Sequence, residues 1–322
     1  MGTVVALGGQ VGGAKLAEGL YRLRGRDLAV IVNTGDDHDY LGLHVSPDID
    51  TMLYTLAGIA DPAKGWEPAG ETFACHAMLM RLRGPGEVPL GDRALALQLL
   101  RAEALRAERT PTEITLDLAQ RLGIEARVLP MSDDPVRTVV NTDSGAMSFQ
   151  DYFVDLKCEP TVRSFQYGGA DEARLPDPVL DALHAHDLEA VVLCPCNPYH
   201  TMHPILAVPG MREALRKRGA PVIAVSPIIG GRALQGSAAK MMRELGREVS
   251  ARAVAMEYHK LIDGIVIDSA DEALAEGIRA SGLHALAVPI FMRTPDDRLR
   301  LARAVLEFAR AVRLRKEIAA DA

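Results

Sequence analysis

Seven short apolar runs, rich in Val, Ile, Leu and Ala, recur along the chain at residues 4–7, 28–33, 126–129, 190–194, 222–226, 264–268 and 285–288. Continuous apolar runs of this length mark strands that are covered on both faces. Helix-like stretches separate them, which is the pattern of crossover connections in a parallel sheet. The fold class expected is therefore α/β, with a Rossmann-like, mostly parallel sheet. The stretch between the second and third runs is too long for one crossover. It predicts a helical insertion at 59–122 inside a discontinuous core of 1–58 and 123–312. Its clearest start signal is Thr110-Pro111-Thr112-Glu113, a capping-box spacing with proline at the first helical position. Asn141-Thr142-Asp143-Ser144-Gly145 reads as a hairpin turn and predicts a small antiparallel addition. A length of 322 residues suits such a core with its additions.

Composition narrows the partners. A formal net charge of −7 argues against bulk binding to nucleic acid or to an anionic membrane surface. No apolar run reaches the roughly 18–20 residues that span a bilayer, and no basic segment precedes an apolar one at the start. The four cysteines, Cys75, Cys158, Cys194 and Cys196, do not read as a disulfide framework. A cytoplasmic protein is expected.

In an open parallel sheet, ligands bind outside the carboxyl ends of the strands, so the loops there carry the chemistry. The first is Gly8-Gly9-Gln10-Val11-Gly12-Gly13-Ala14-Lys15. Its glycines let backbone N–H groups approach a phosphate at a helix N-terminus. The spacing is neither the dinucleotide fingerprint nor a Walker A loop, and a tight packing turn is the plainer alternative. The second, Asn33-Thr34-Gly35-Asp36-Asp37, sets adjacent carboxylates where they suit a divalent cation, a ribose hydroxyl or simply solvent. In Ser46-Pro47-Asp48-Ile49-Asp50-Thr51, Ser46 reads as an N-cap and Asp48 as a first-turn acid complementing the helix dipole. Asp50 points elsewhere and, with Asp36, suits magnesium. The last pair is Pro195-Cys196-Asn197-Pro198 and Ser226-Pro227-Ile228-Ile229-Gly230-Gly231, each after an apolar run. Cys194, Cys196, His200 and His203 form a zinc alternative whose Cys-x-Cys spacing is tighter than usual zinc patterns.

Taken in order, these loops resemble the 2-phospho-L-lactate transferase family of coenzyme F-420 biosynthesis. The resemblance runs from about residue 3 to 310 and includes Leu90-Gly91-Asp92-Arg93, Leu129-Pro130-Met131-Ser132-Asp133-Asp134-Pro135 and Phe149-Gln150-Asp151-Tyr152-Phe153. It implies a Rossmann-like transferase, commonly a homodimer, that uses magnesium. The phospho-acid (phospholactyl, phosphoenolpyruvyl or phosphoglyceryl) would pass from a guanylylated donor to the ribityl hydroxyl of the deazaflavin Fo, with release of GMP. It also implies Asp50 and Asp36 as catalytic and metal-binding residues, with Asp50, Asp92 and Arg93 on the acceptor side. Gly9, Gly12, Gly13, Lys15, Asn197, Ser226, Pro227, Gly230 and Gly231 would then surround the guanylyl phosphates. The sequence departs from the family pattern at Gly86-Glu87-Val88-Pro89, Ala94, Gln98, Cys196, His203 and Gln235. These departures leave open a paralogue with a different donor or acceptor, or a non-catalytic nucleotide-sugar-binding regulator.

Overall fold

The computed structural model describes residues 2–84, 88–217, 219–233 and 236–320. Seven strands form one sheet: β1 (Thr3–Gly8), β2 (Leu28–Val32), β3 (Arg127–Pro130), β4 (Leu188–Leu193), β5 (Val222–Val225), β6 (Gly264–Ile267) and β7 (His284–Ala287). All pairs are parallel, in the order β7-β6-β5-β4-β1-β2-β3. Each predicted run becomes a strand, with ends moved by one or two residues. The central strands are sealed on both faces, with residues 4–7 and 28–32 at 0% exposure. That burial is why their sequences are continuous apolar runs rather than alternating ones.

The longest described helices are α1 (Gln10–Arg24), α2 (Pro47–Leu56), α3 (Asp92–Arg106), α4 (Pro111–Arg121) and α5 (Pro295–Ala320). Two apolar clusters lie on the two faces of the sheet. Helix α1 crosses α5 closely, because a side chain at Gly19 would stand 2.3 Å from the Arg298 carbonyl oxygen. The capping box forms as expected: Thr110 Oγ1 accepts from the Glu113 N–H at 3.2 Å, and Glu113 Oε2 accepts from the Thr110 N–H at 2.9 Å. Helix α4 sets Ile114, Leu118 and Ala119 into the cluster beneath β2 and β3, so it serves as the crossover leading into β3. The short helix Ala74–Arg81 and α3 precede it. Strands Gly145–Ser148, Arg137–Thr142 and Val162–Gly168 make the antiparallel addition, with Thr142 paired to Gly145 across the expected turn.

From β1 the chain moves to β2 on one side, while β4 lies on the other side of β1. The strand order reverses there, which opens a crevice between the loops after β1 and β4. That crevice holds the site. No described helix is long and apolar enough to cross a membrane.

Candidate active site

Two adjoining lobes make up the crevice. One, of about 390 Å³, is lined by Gly12, Lys15, Pro195, Asn197, Ser226, Pro227 and Ser237, with Ile290, Phe291 and Met292 as its apolar wall. The other, of about 670 Å³, takes Asp36, Asp48 and Asp50 together with Tyr40, Tyr54, Phe73 and Phe149. Gln10, Val11, Trp66 and Phe153 line both. A smaller lobe at a helix N-terminus, mostly apolar but carrying Lys15, Asn197, Ser226 and Ser237, thus meets a larger aromatic one beside three buried carboxylates.

The glycine loop is shaped by close approach. A side chain at Gly9 would stand 2.1 Å from Asp48 Oδ2, and one at Gly12 would stand 2.5 Å from the Pro195 carbonyl. Glycine is required at both positions, at Gly9 to admit the acid of α2 and at Gly12 to admit the loop after β4. Between them Gln10 adopts φ 57°, a left-handed conformation that costs a non-glycine residue about 1–2 kcal/mol. Lys15 is partly buried; burial and the nearby Arg298 charge lower its pKa. Gly9 and Gly13 lie behind the lobe surface. Gly230 and Gly231, both at positive φ, turn the hairpin between Ile228–Ile229 and Arg232–Ala233. The Gly230 N–H is taken by Asp271 Oδ2 at 2.9 Å, and neither glycine lines a lobe.

Four buried acids have four different environments. Asp48 is 5% exposed. Its Oδ1 accepts the Gln10 N–H at 2.8 Å, and its Oδ2 accepts from Asn33 Nδ2 at 2.9 Å. Asn33 cannot turn its amide over, because its Oδ1 accepts the Gly35 N–H at 2.8 Å. Burial, and then the neighbouring Asp36 carboxylate, push the Asp48 pKa up to about 7. The first-turn position expected for Asp48 is correct, but the role expected there is not. The carboxylate faces the crevice and not solvent at the helix end, because Gly9 leaves it room. Asp36 Oδ2 sits 2.9 Å from His200 Nδ1, while its buried Oδ1 makes no hydrogen bond of normal geometry and the Thr138 hydroxyl lies near the carboxylate. Burial raises the Asp36 pKa, and His200 opposes that shift. Asp37 accepts from Ser46 Oγ at 2.9 Å and lies 3.1 Å from His44 Nε2; that hydrogen bond raises the His44 pKa. Ser46 therefore holds Asp37 and makes no side-chain cap on α2.

Asp50 is joined by both terminal nitrogens of Arg101 from α3, and Arg101 is itself 4% exposed. The sequence reading missed Arg101, although a signal existed. It lies four residues after Leu97 and three after Gln98, both buried, so a charge stands on the inward face of α3. His200 was weighed only as a zinc ligand, and Gln10 only as part of a glycine loop.

Several other expected residues lie elsewhere. Asp92 accepts from Thr72 Oγ1 at 2.6 Å and from the Ala74 and Cys75 N–H groups at 2.9 Å each, and so fastens the helix Ala74–Arg81. Arg93 reaches the Ala69 carbonyl. Neither lines a lobe; Pro89, Gly91, Ala94 and Gln98 do. Gly86, Glu87 and Gln235 lie outside the described residues. The four zinc candidates are engaged separately. His200 is held by Asp36, and His203 meets Glu257 at 3.2 Å. Burial pushes the Cys194 thiol up to about 12 and raises the Cys196 thiol well above its ordinary value. Among the described residues, no three His, Cys, Asp or Glu side chains are grouped to hold a metal ion.

Similarity to known proteins agrees with this architecture. The family model described as 2-phospho-L-lactate transferase CofD matches residues 4–290. A phosphoenolpyruvate transferase of Streptomyces griseus is 39% identical over 96% of this chain and 99% of its own length. A 2-phospho-L-lactate transferase of Methanosarcina mazei is 35% identical over 94% and 99%. Among solved structures, a Bacillus halodurans protein shares the fold at TM-score 0.62 and 16% identity, over 95% of this chain and 99% of that one. The matching family model and these relatives, spanning nearly all of the chain, show that it belongs to the CofD family of 2-phospho-L-lactate transferases, a family of phospho-transferring enzymes.

Proposed function

We propose that the chain transfers a phospholactyl, phosphoenolpyruvyl or phosphoglyceryl group from its guanylylated donor to the ribityl hydroxyl of the deazaflavin Fo, releasing GMP, in coenzyme F-420 biosynthesis. The observation that carries this reading is the bilobal crevice, with buried carboxylates beside the aromatic lobe. A two-substrate transfer needs adjoining sites, and the two lobes meet at Gln10, Val11, Trp66 and Phe153. The smaller lobe, with Lys15, Asn197, Ser226 and Ser237 set among apolar walls, suits a nucleotide diphosphate. The larger lobe, with Tyr40, Phe73, Phe149 and Phe153, suits a planar aromatic acceptor.

The hydroxyl oxygen bonds to the phosphorus that carries the acid, the bridging P–O bond to GMP breaks, and the hydroxyl proton leaves to a carboxylate. No covalent protein intermediate is needed; positioning and charge stabilisation carry such a step. Magnesium would offset the negative charge of the diphosphate. The donors on this chain fit such an ion. Asp36 has a buried oxygen that makes no hydrogen bond of normal geometry, and the Asp48 carboxylate is near enough to feel its charge. Magnesium bound by one or two carboxylates usually completes its shell with water and phosphate, so a three-residue cage is not required. Asp50, also expected as a ligand, has Arg101 across both oxygens. It is better placed to orient the acceptor hydroxyl.

The test is to incubate the purified chain with Fo, magnesium and each guanylylated donor in turn, then measure GMP and analyse the products by mass spectrometry. One donor should yield GMP and a phosphodiester-linked deazaflavin in equal amounts. Absence of both with all three donors overturns the reading.

A further inference from the structure

Gln10 is strained, and its side chain is fully engaged. Of the six described non-glycine residues at positive φ, it alone lines the crevice. Such conformations persist where the surrounding structure over-determines them, and here three contacts do so. The Gln10 N–H donates to Asp48 Oδ1 at 2.8 Å. Its Oε1 accepts the Asn197 N–H at 3.1 Å, and its Nε2 lies 3.2 Å from His200 Nε2.

These contacts fix the direction of every hydrogen bond in the chain. A backbone N–H can only donate, so the amide oxygen of Gln10 must face Asn197 and its NH₂ must face His200. An NH₂ can only donate, so His200 Nε2 accepts and the ring proton resides on Nδ1. That proton is donated to Asp36 Oδ2 at 2.9 Å. The ring cannot swing away, because Phe149 stacks on it with centroids 4.1 Å apart and planes 19° apart. Asn197 lines the smaller lobe and Asp36 the aromatic one. A single oriented chain, Asn197 to Gln10 to His200 to Asp36, therefore spans the crevice.

We propose that Gln10 and His200 are positioning residues that fix the Asp36 carboxylate through its Oδ2 at the wall of the aromatic lobe, and that they tie this geometry to the loop lining the donor lobe. The proposal rests on the proposed transfer reaction, in which Asp36 takes part. It extends that reading by making the carboxylate's placement depend on how the donor-side loop is seated.

The test uses Gln10→Gly, which suits the positive φ and so keeps the fold while removing the amide. Wild type, Gln10→Gly, Asp36→Asn and the double variant are compared for kcat, for both KM values and for denaturant unfolding. Gln10→Gly should stay folded, because relief of the backbone strain partly offsets the loss of two hydrogen bonds. It should nonetheless lose about 10- to 100-fold in kcat, as removal of an outer hydrogen-bond partner typically does. In the Asp36→Asn background the same change should cost nothing further. Unchanged kcat in Gln10→Gly, or losses that multiply in the double variant, would overturn the proposal. A second readout needs no substrate: the ¹⁵N resonances of the His200 ring. They should show an Nδ1–H tautomer in wild type, with the Nε2 resonance displaced in Gln10→Gly. A wild-type proton on Nε2 would overturn the relay even if turnover is normal. A protein with the expected tautomer but no transfer from any donor would instead sink the function and leave the relay geometry standing.

Discussion

Arg101 and Asp50 form a buried two-pronged ion pair between α3 and α2, with the residues 4% and 5% exposed. Arg101 also approaches the His44 carbonyl at 3.5 Å. The pair joins the segment before α4 to the edge of the aromatic lobe, so its geometry bears on both stability and the site.

The first prediction concerns that pair. Asp50→Asn is nearly isosteric, yet it leaves a guanidinium buried without its counter-charge. Breaking a buried pair from one side typically costs about 3–5 kcal/mol. Asp50→Asn should therefore lose stability on that scale as well as transfer activity. The Asp50→Asn/Arg101→Met double variant should regain most of the stability and none of the activity. Urea unfolding of the single and double variants measures this. An Asp50→Asn protein as stable as wild type would show that water, and not Asp50, solvates the guanidinium.

Asp48 gives a pH prediction. Its carboxyl pKa is about 7 in the fold, above the roughly 3.9 of an unfolded chain. The folded state binds this proton more tightly, so the stabilisation is complete below about pH 4 and is lost as pH rises through about 7. The full swing is on the order of 4 kcal/mol. Asp36, also raised by burial, adds in the same direction. Metal-free protein should therefore lose stability between about pH 4 and 7, and Asp48→Asn should flatten part of that slope. Identical slopes for the two proteins would remove Asp48 as the source. Activity separates the roles further: Asp48→Asn should lose at least about 100-fold in transfer, the lower end for a positioned acid or base. That is far from the small effect expected of an exposed first-turn acid.

Magnesium is the third. Turnover should vanish in excess chelator and return when magnesium is restored. Without substrates, magnesium should raise the unfolding temperature more at pH 8 than at pH 5, because protons compete for the carboxylates it binds. Asp36→Asn should abolish that increment. Full turnover in excess EDTA would remove the metal from the mechanism.

The sheet was legible because each central strand is buried on both faces, which makes runs such as 4–7 and 28–32 continuous and apolar. The Thr110 capping box and the 141–145 hairpin were legible because their interactions are local. The carboxylate cluster was not, because its meaning lies in partners far away in the chain. Asp50 and Arg101 are 51 positions apart, and Asp36 and His200 are 164 apart. Asp48 shows the difference most clearly. Its local context correctly places it in the first turn of α2, but only the missing side chain of Gly9 and the fixed amide of Asn33 turn it inward. Asp92 is the converse case: the family resemblance sets it on the acceptor side, and in this fold its carboxylate fastens a neighbouring helix.

The last prediction tests the junction of the lobes. Trp66 is 57% exposed yet lines both. Its loop is pressed onto the α1 lead-in, since a side chain at Gly65, itself at φ 83°, would stand 2.6 Å from Val11 Cγ1. An exposed indole contributes little to the core, so Trp66→Ala should change the unfolding free energy by no more than about 0.5 kcal/mol. With substrates bound, the ring would be covered from both sides. Covering a large apolar side chain is worth about 1.5–3 kcal/mol, roughly a tenfold to hundredfold change in binding. The KM for donor and the KM for acceptor should therefore both rise, with kcat changed less, because the indole touches no reacting atom. Steady-state kinetics with each substrate varied in turn separates the outcomes. A rise in one KM alone would assign Trp66 to a single lobe. Two unchanged KM values in a stable variant would mean that the lobes do not meet at this residue when substrates bind, and the shared junction would have to be sought at Phe153 and Val11.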